Sequence, residues 1–79
     1  MMKSLIEFIA KSLVDDPTEV VVTERSRRKD VLLLLSVAEE DMGRVIGRNG
    51  RVASAMRTLL RVAASRQGVR SSLDIIERE

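Results

Sequence analysis

Residues 42–51 read Met42-Gly43-Arg44-Val45-Ile46-Gly47-Arg48-Asn49-Gly50-Arg51, and the spacing of these glycines decides how the rest of the chain is organised. Gly47 stops a short helical turn that begins near Met42. Gly50 opens a longer helix over residues 51–66, which Gly68 ends. A four-residue loop, Gly47-Arg48-Asn49-Gly50, therefore lies between a clipped helix and a long one. Its glycines can adopt dihedrals closed to other residues and let a foreign backbone come close. The loop feeds a helix N-terminus whose first amides are unpaired and carry the positive end of the dipole. Arg48 and Asn49 add donors, and Arg44 and Arg51 flank them. Such a loop can hold a sugar-phosphate backbone without reading bases. The same residues also read as a Gly47 C-cap followed by an Asn49-Gly50 turn, and local spacing does not separate the two readings.

Upstream, Met2, Leu5, Ile6, Ile9 and Leu13 fall on one stripe of a first helix, with Ala10 and Val14 at its edge. Asp15-Asp16-Pro17 ends it, because the residue before proline is pushed out of the helical region. Phe8, the only aromatic, lies on the flank of the stripe and is expected to pack into the core. Residues 18–25 are rich in β-branched side chains and read as a strand. Ser26-Arg27-Arg28-Lys29-Asp30 is a polar hairpin connection, and residues 31–38 form an apolar run suited to a central strand. The cluster Arg25, Arg27, Arg28 and Lys29 reads either as a solvated loop or as a second anion contact. Glu39-Glu40-Asp41 complements the dipole of the short helix, with Asp41 as its N-cap.

The long helix has an expected inward stripe of Val52, Ala55, Met56, Leu59 and Ala63. Residues 71–77 read as a third strand, with Leu73 and Ile75 on one face and Asp74 and Ile76 on the other. The order α-β-β-α-α-β follows. A hairpin pairs the first two strands, and the two-helix connection allows a parallel crossover to the third. The expectation is an α+β fold, a three-stranded mixed sheet with its second strand central and three helices on one face. The 79 residues make one domain over residues 1–79.

Composition narrows the function. There is no cysteine and no histidine, which removes thiolate metal sites, disulfides and the commonest acid/base residue near neutral pH. No pair of the remaining polar residues has catalytic spacing. The chain reads as a non-enzyme without metal or cofactor. Apolar and charged residues mix from the start, unlike an export signal, and no run reaches membrane-spanning length, so a cytoplasmic protein is expected. The net charge of +2 is uneven: residues 42–70 hold seven arginines and no carboxylate. A solvated face mixes both signs, whereas a polyanion site does not. Arginine also suits forked contacts to phosphate.

With these residues in view, the segment from Met42 to Arg51 resembles the KH-domain signature of a short helix, Ile-Gly-x-x-Gly and a long helix. The element order is that of the type II KH fold. The resemblance spans nearly the whole chain and is closest to the bacterial stand-alone KhpA (YlqC) family. It implies binding of single-stranded RNA, or of single-stranded DNA in its place, in a groove between the loop and the third strand. On that reading Gly47, Arg48, Asn49 and Gly50 take the backbone. Arg44 and Arg51 are phosphate partners, and Val45, Ile46 and Val52 are either groove wall or core. Arg66, Arg70, Ser71 and Ser72 lie near the bases, and the sign of Asp74's effect stays open. Without aromatics in the basic region, stacking cannot drive affinity, so binding should be weak and salt-sensitive.

The apolar arc of the long helix is wider than its stripe. Ala53, Leu60 and Ala64 extend it, and with Arg57 they form the expected dimer interface; a generous core is the other reading of the same arc. The resemblance implies a homodimer, a pairing with a larger KH-containing protein, and a role as RNA chaperone or post-transcriptional regulator touching cell shape and division. Two competing readings remain. One is a protein-interaction adaptor with secondary nucleic-acid binding. The other is a helix-turn-helix over residues 42–66, which the apolar strand run and the lack of a third packed helix disfavour.

Overall fold

The computed structural model of the chain describes residues 1–77. Its elements are α1 (Met2–Leu13), β1 (Val21–Arg27), β2 (Asp30–Ser36), α2 (Met42–Ile46), α3 (Arg51–Arg66) and β3 (Arg70–Ile75). The expected order and class hold: an α+β fold with sheet order β1-β2-β3. β1 and β2 are antiparallel, with Val22 opposite Leu35, and β2 and β3 are parallel, with Leu33 opposite Leu73.

The alternation of strand side chains gives the sheet two unlike faces. Val22, Val31, Leu33, Leu35 and Leu73 are buried in the core with the helices, whereas Leu32 and Leu34 on the other face are only half-buried. Both faces of β2 are apolar, as a central strand requires, although only one is covered. The first strand begins later than expected, because Pro17–Glu19 forms a single 3-10 turn after the Asp16 side chain accepts the Thr18 N–H. The hairpin connection is also tighter than its five polar residues suggest. Arg27 pairs with Asp30, which leaves Arg28 and Lys29 alone in the turn.

α1 buries Met2, Ile6 and Ala10, one residue per turn. Phe8 corrects an expectation: it is 72% exposed. At 100° per residue it lies about 200° from Ile6, on the side away from the core.

α3 carries the larger correction. Ala53, Met56, Leu60 and Ala64 are buried, while Ala55 and Leu59 of the expected stripe are exposed. The helix is rotated by about one residue from the expected setting. The pairs Leu59-Leu60 and Ala63-Ala64 make two overlapping apolar stripes, and the sequence alone does not choose between them. α3 touches α1, α2 and β3, so its neighbours decide. Ala53, Leu60 and Ala64 are therefore core of this chain and unavailable as a dimer surface. Arg57, the fourth member of that expected interface, is exposed but turned to β3.

Candidate nucleic-acid interface

α2 is short because the backbone turns sharply at its end. The Gly47 N–H donates to the Gly43 carbonyl at 2.9 Å, and Gly47 itself takes φ +77° and ψ 171°. A Cβ there would lie 2.5 Å from Val52 Cγ2 and 2.8 Å from Val52 N. Conformation and space both demand glycine. Asn49 (φ 57°) and Gly50 (φ 72°) follow in the left-handed region, and the Gly50 N–H closes the turn on the Gly47 carbonyl at 3.1 Å. Gly50 faces open space. It is also the residue before α3; no side chain caps that helix, and the Arg51 N–H turns back to the Arg48 carbonyl. Arg48, Asn49 and Arg51 are exposed, with no side-chain hydrogen bond or ion pair among the described residues.

The other expected site residues divide. Ile46 is 38% exposed beside the loop. Val45 is fully buried in the core and so does not line a groove, which corrects its placement as groove wall. In α2 it projects inward while its neighbour Ile46 projects outward. Arg44 is braced rather than free: it meets Asp15 Oδ2 at 3.0 Å and Asp41 Oδ1 at 3.5 Å. Asp41 occupies the expected N-cap position of α2, but its side chain makes no capping hydrogen bond to that helix. Its buried carboxylate instead accepts the backbone N–H groups of Asp15 and Asp16, each at 3.1 Å, and anchors α2 to the turn after α1. Arg70 lies away from the loop, at the opposite end of α3, where its N–H meets the Lys29 carbonyl at 2.7 Å.

Two arginines gain a place that periodicity did not assign. Arg57 and Arg61, one turn apart on α3, line a depression of about 290 Å³ together with Ser71, Ser72 and Asp74 of β3. The Arg57 Nε–H donates to the Leu73 carbonyl at 3.0 Å. In the parallel ladder the N–H groups of Arg70 and Ile76 point to β2, so odd-numbered positions of β3 face the outer edge. The i, i+4 spacing of the two arginines was visible in the sequence; the rotation that brings them to this edge was not. Among the described residues no cluster of carboxylates could hold a metal ion. No helix among them is long and apolar enough to cross a membrane.

Residues 3–75 match the family described as KhpA/KhpB, KH domain. The chain belongs to that family. It is not an enzyme family, which agrees with the reading of the composition. Proteins named RNA-binding protein KhpA are similar over nearly their whole length. The one from Clostridium acetobutylicum is 51% identical over 75 residues, covering 95% of this chain and all of its own. The one from Treponema pallidum is 47% identical, covering 98% and 96%, and that from Listeria monocytogenes 46%, covering 96% and 100%. Among solved structures, Aquifex aeolicus Era bound to GDP and an aluminium fluoride superposes with TM-score 0.69 at 15% identity, over 96% of this chain and 29% of that one. That likeness speaks to the fold alone.

Proposed function

We propose that this chain is a single KH domain that binds single-stranded RNA in the cytoplasm, holding the sugar-phosphate backbone in the loop of residues 47–50. The observation that carries the reading is the Gly47–Gly50 geometry. Gly47 has no room for a side chain and ends α2, Gly50 is left-handed and open at the start of α3, which no side chain caps, and the exposed Arg48 and Arg51 lie beside them. Backbone N–H groups at such a start favour an anion, and the arginines add fork-shaped donors. The named relatives are RNA-binding proteins, which favours RNA as the polyanion. Specificity is low on this reading, because the basic segment of residues 42–70 contains no aromatic for stacking. The domain then acts as a chaperone or post-transcriptional regulator of RNA.

Fluorescence anisotropy with short single-stranded RNA, and single-stranded DNA in parallel, tests this. Binding should weaken as salt rises. The double change Arg48→Asp and Asn49→Asp should abolish binding with an unchanged circular dichroism spectrum. Undiminished affinity in that variant would sink the loop reading.

A second reading concerns partners. Leu59 and Val62 of α3 are 51% and 52% exposed, and Ala55 one turn earlier extends them into a ridge. We infer that this ridge, rather than Ala53, Leu60 and Ala64, pairs with a second copy or with a larger KH-containing protein. Dimerisation would raise the affinity of a weak clamp through effective concentration.

A further inference from the structure

The basic cluster of the β1–β2 hairpin has no part in the loop clamp, yet it is not an isolated solvated turn. The Arg70 N–H pins the turn to β3 through the Lys29 carbonyl at 2.7 Å, and Arg70 Nε meets Asp30 Oδ1 at 2.8 Å. Arg27, Arg28, Lys29, Asp30 and Arg70 line one depression of about 530 Å³. A second, lined by Arg61, Ser65, Gly68, Arg70 and Ser71, shares Arg70 with it. The groove of Arg57, Arg61, Ser71, Ser72 and Asp74 shares Arg61 and Ser71 with that second one. The three depressions join into one trough between α3 and β3 that ends at the hairpin. Its cations outnumber its two carboxylates, Asp30 and Asp74, and Asp30 is already engaged by Arg70. Arg28 holds φ +54°, a left-handed backbone that suits Gly or Asn better, so a cation is kept there against local preference.

We propose that this trough extends the RNA path, so that one continuous single strand runs from the loop of residues 47–50 along α3 and leaves across the hairpin cations. The proposal rests on the loop reading for its starting point. The 16 residues of α3 span roughly 24 Å at 1.5 Å each. The roughly four nucleotides that a KH loop clamps are taken up at the loop, so a strand must be longer than that to follow α3 as well. The hairpin is therefore reached only by strands that continue past the loop along the whole of α3, and its cations act on long RNA only.

The test is the double change Arg28→Gly and Lys29→Ser in the full chain. Glycine relieves the left-handed backbone, so folding should not suffer. Affinity and amide chemical shifts are measured with oligoribonucleotides of about five and about twelve nucleotides. The expected result is a loss of several-fold for the longer RNA, less than twofold for the shorter, and a salt slope shallower by about 1.4 for the longer one. In the parent chain the Lys29 and Arg70 amides should shift with the longer RNA alone. Equal losses at both lengths, or none at either, would overturn the proposal. The loop variant with Arg48→Asp and Asn49→Asp separates the two readings, since it should lose both lengths. If it loses neither while the length-dependent hairpin effect persists, the loop reading and the continuous path from it fail, and only the hairpin contact with long RNA stands.

Discussion

The carboxylate of Asp41, 2% exposed, accepts the backbone N–H of Asp15 at 3.1 Å, from a segment 26 residues upstream. Its other oxygen takes the Asp16 N–H, and Arg44 closes on both Asp15 and Asp41. One side chain thus fixes the end of α1 against the start of α2, the helix that delivers the loop. Hydrogen bonds to a charged acceptor contribute about 1.5–3 kcal/mol each. Part of that is recovered here when water reaches the exposed Asp15 and Asp16. Asp41→Ala should therefore cost about 2–3 kcal/mol in urea unfolding, and Asp41→Asn, which keeps one carbonyl oxygen, clearly less. Equal losses for the two variants would argue against the paired acceptor role.

The two loop glycines should respond unequally to alanine. At Gly50 the penalty is conformational only, about 1–2 kcal/mol for a left-handed residue with free space around it. At Gly47 the same penalty is joined by a Cβ pressed against Val52, and overpacking adds a further ~1–3 kcal/mol. Thermal unfolding of the two variants should rank Gly47→Ala well below Gly50→Ala. Gly50→Ala should stay folded and lose RNA affinity through the distorted approach to α3.

Arg57 has two separable roles, and two substitutions divide them. Its Nε–H satisfies the Leu73 carbonyl on the outer edge of β3, and its charge sits in the trough. Arg57→Lys keeps the charge and cannot reproduce the Nε geometry. Arg57→Ala loses both. Each should cost about 1 kcal/mol of stability from the lost bond. Only Arg57→Ala should reduce the salt slope of RNA binding, by about 0.7 for one phosphate contact on a single strand. Salt titrations of the two variants at one temperature check this.

How much of this was legible beforehand depends on the range of the interaction. The central strand, the parallel crossover and the clipped helix before Gly47 followed from apolar runs, proline and glycine, all local signals. Phe8 failed because flanking an apolar stripe is weaker information than its angle on the helix. The setting of α3 failed because Leu59-Leu60 and Ala63-Ala64 offer two stripes, and contact with α1, α2 and β3 selects one. The side-chain role of Asp41 was missed for a related reason. Its N-cap position before the short helix was legible, but the donors its side chain takes lie 25 and 26 residues away in a turn that sequence periodicity cannot bring near.

The rotation of α3 gives the sharpest expected contrast, between two adjacent leucines. Leu60 is 1% exposed and Leu59 is 51% exposed. Leu60→Ala should cost about 2–5 kcal/mol, as a buried leucine truncated in a packed core does. Leu59→Glu should leave the monomer within about 0.5 kcal/mol of the parent, since it places a charge on an exposed helix position. If the ridge of Ala55, Leu59 and Val62 pairs with a second copy, light scattering should report the dimer mass for the parent and the monomer mass for Leu59→Glu, both with native circular dichroism. Leu60→Glu is no substitute, because it would unfold the chain and lower the mass of any assembly regardless of the surface involved. A parent that is monomeric at all concentrations would instead leave the ridge to a different protein.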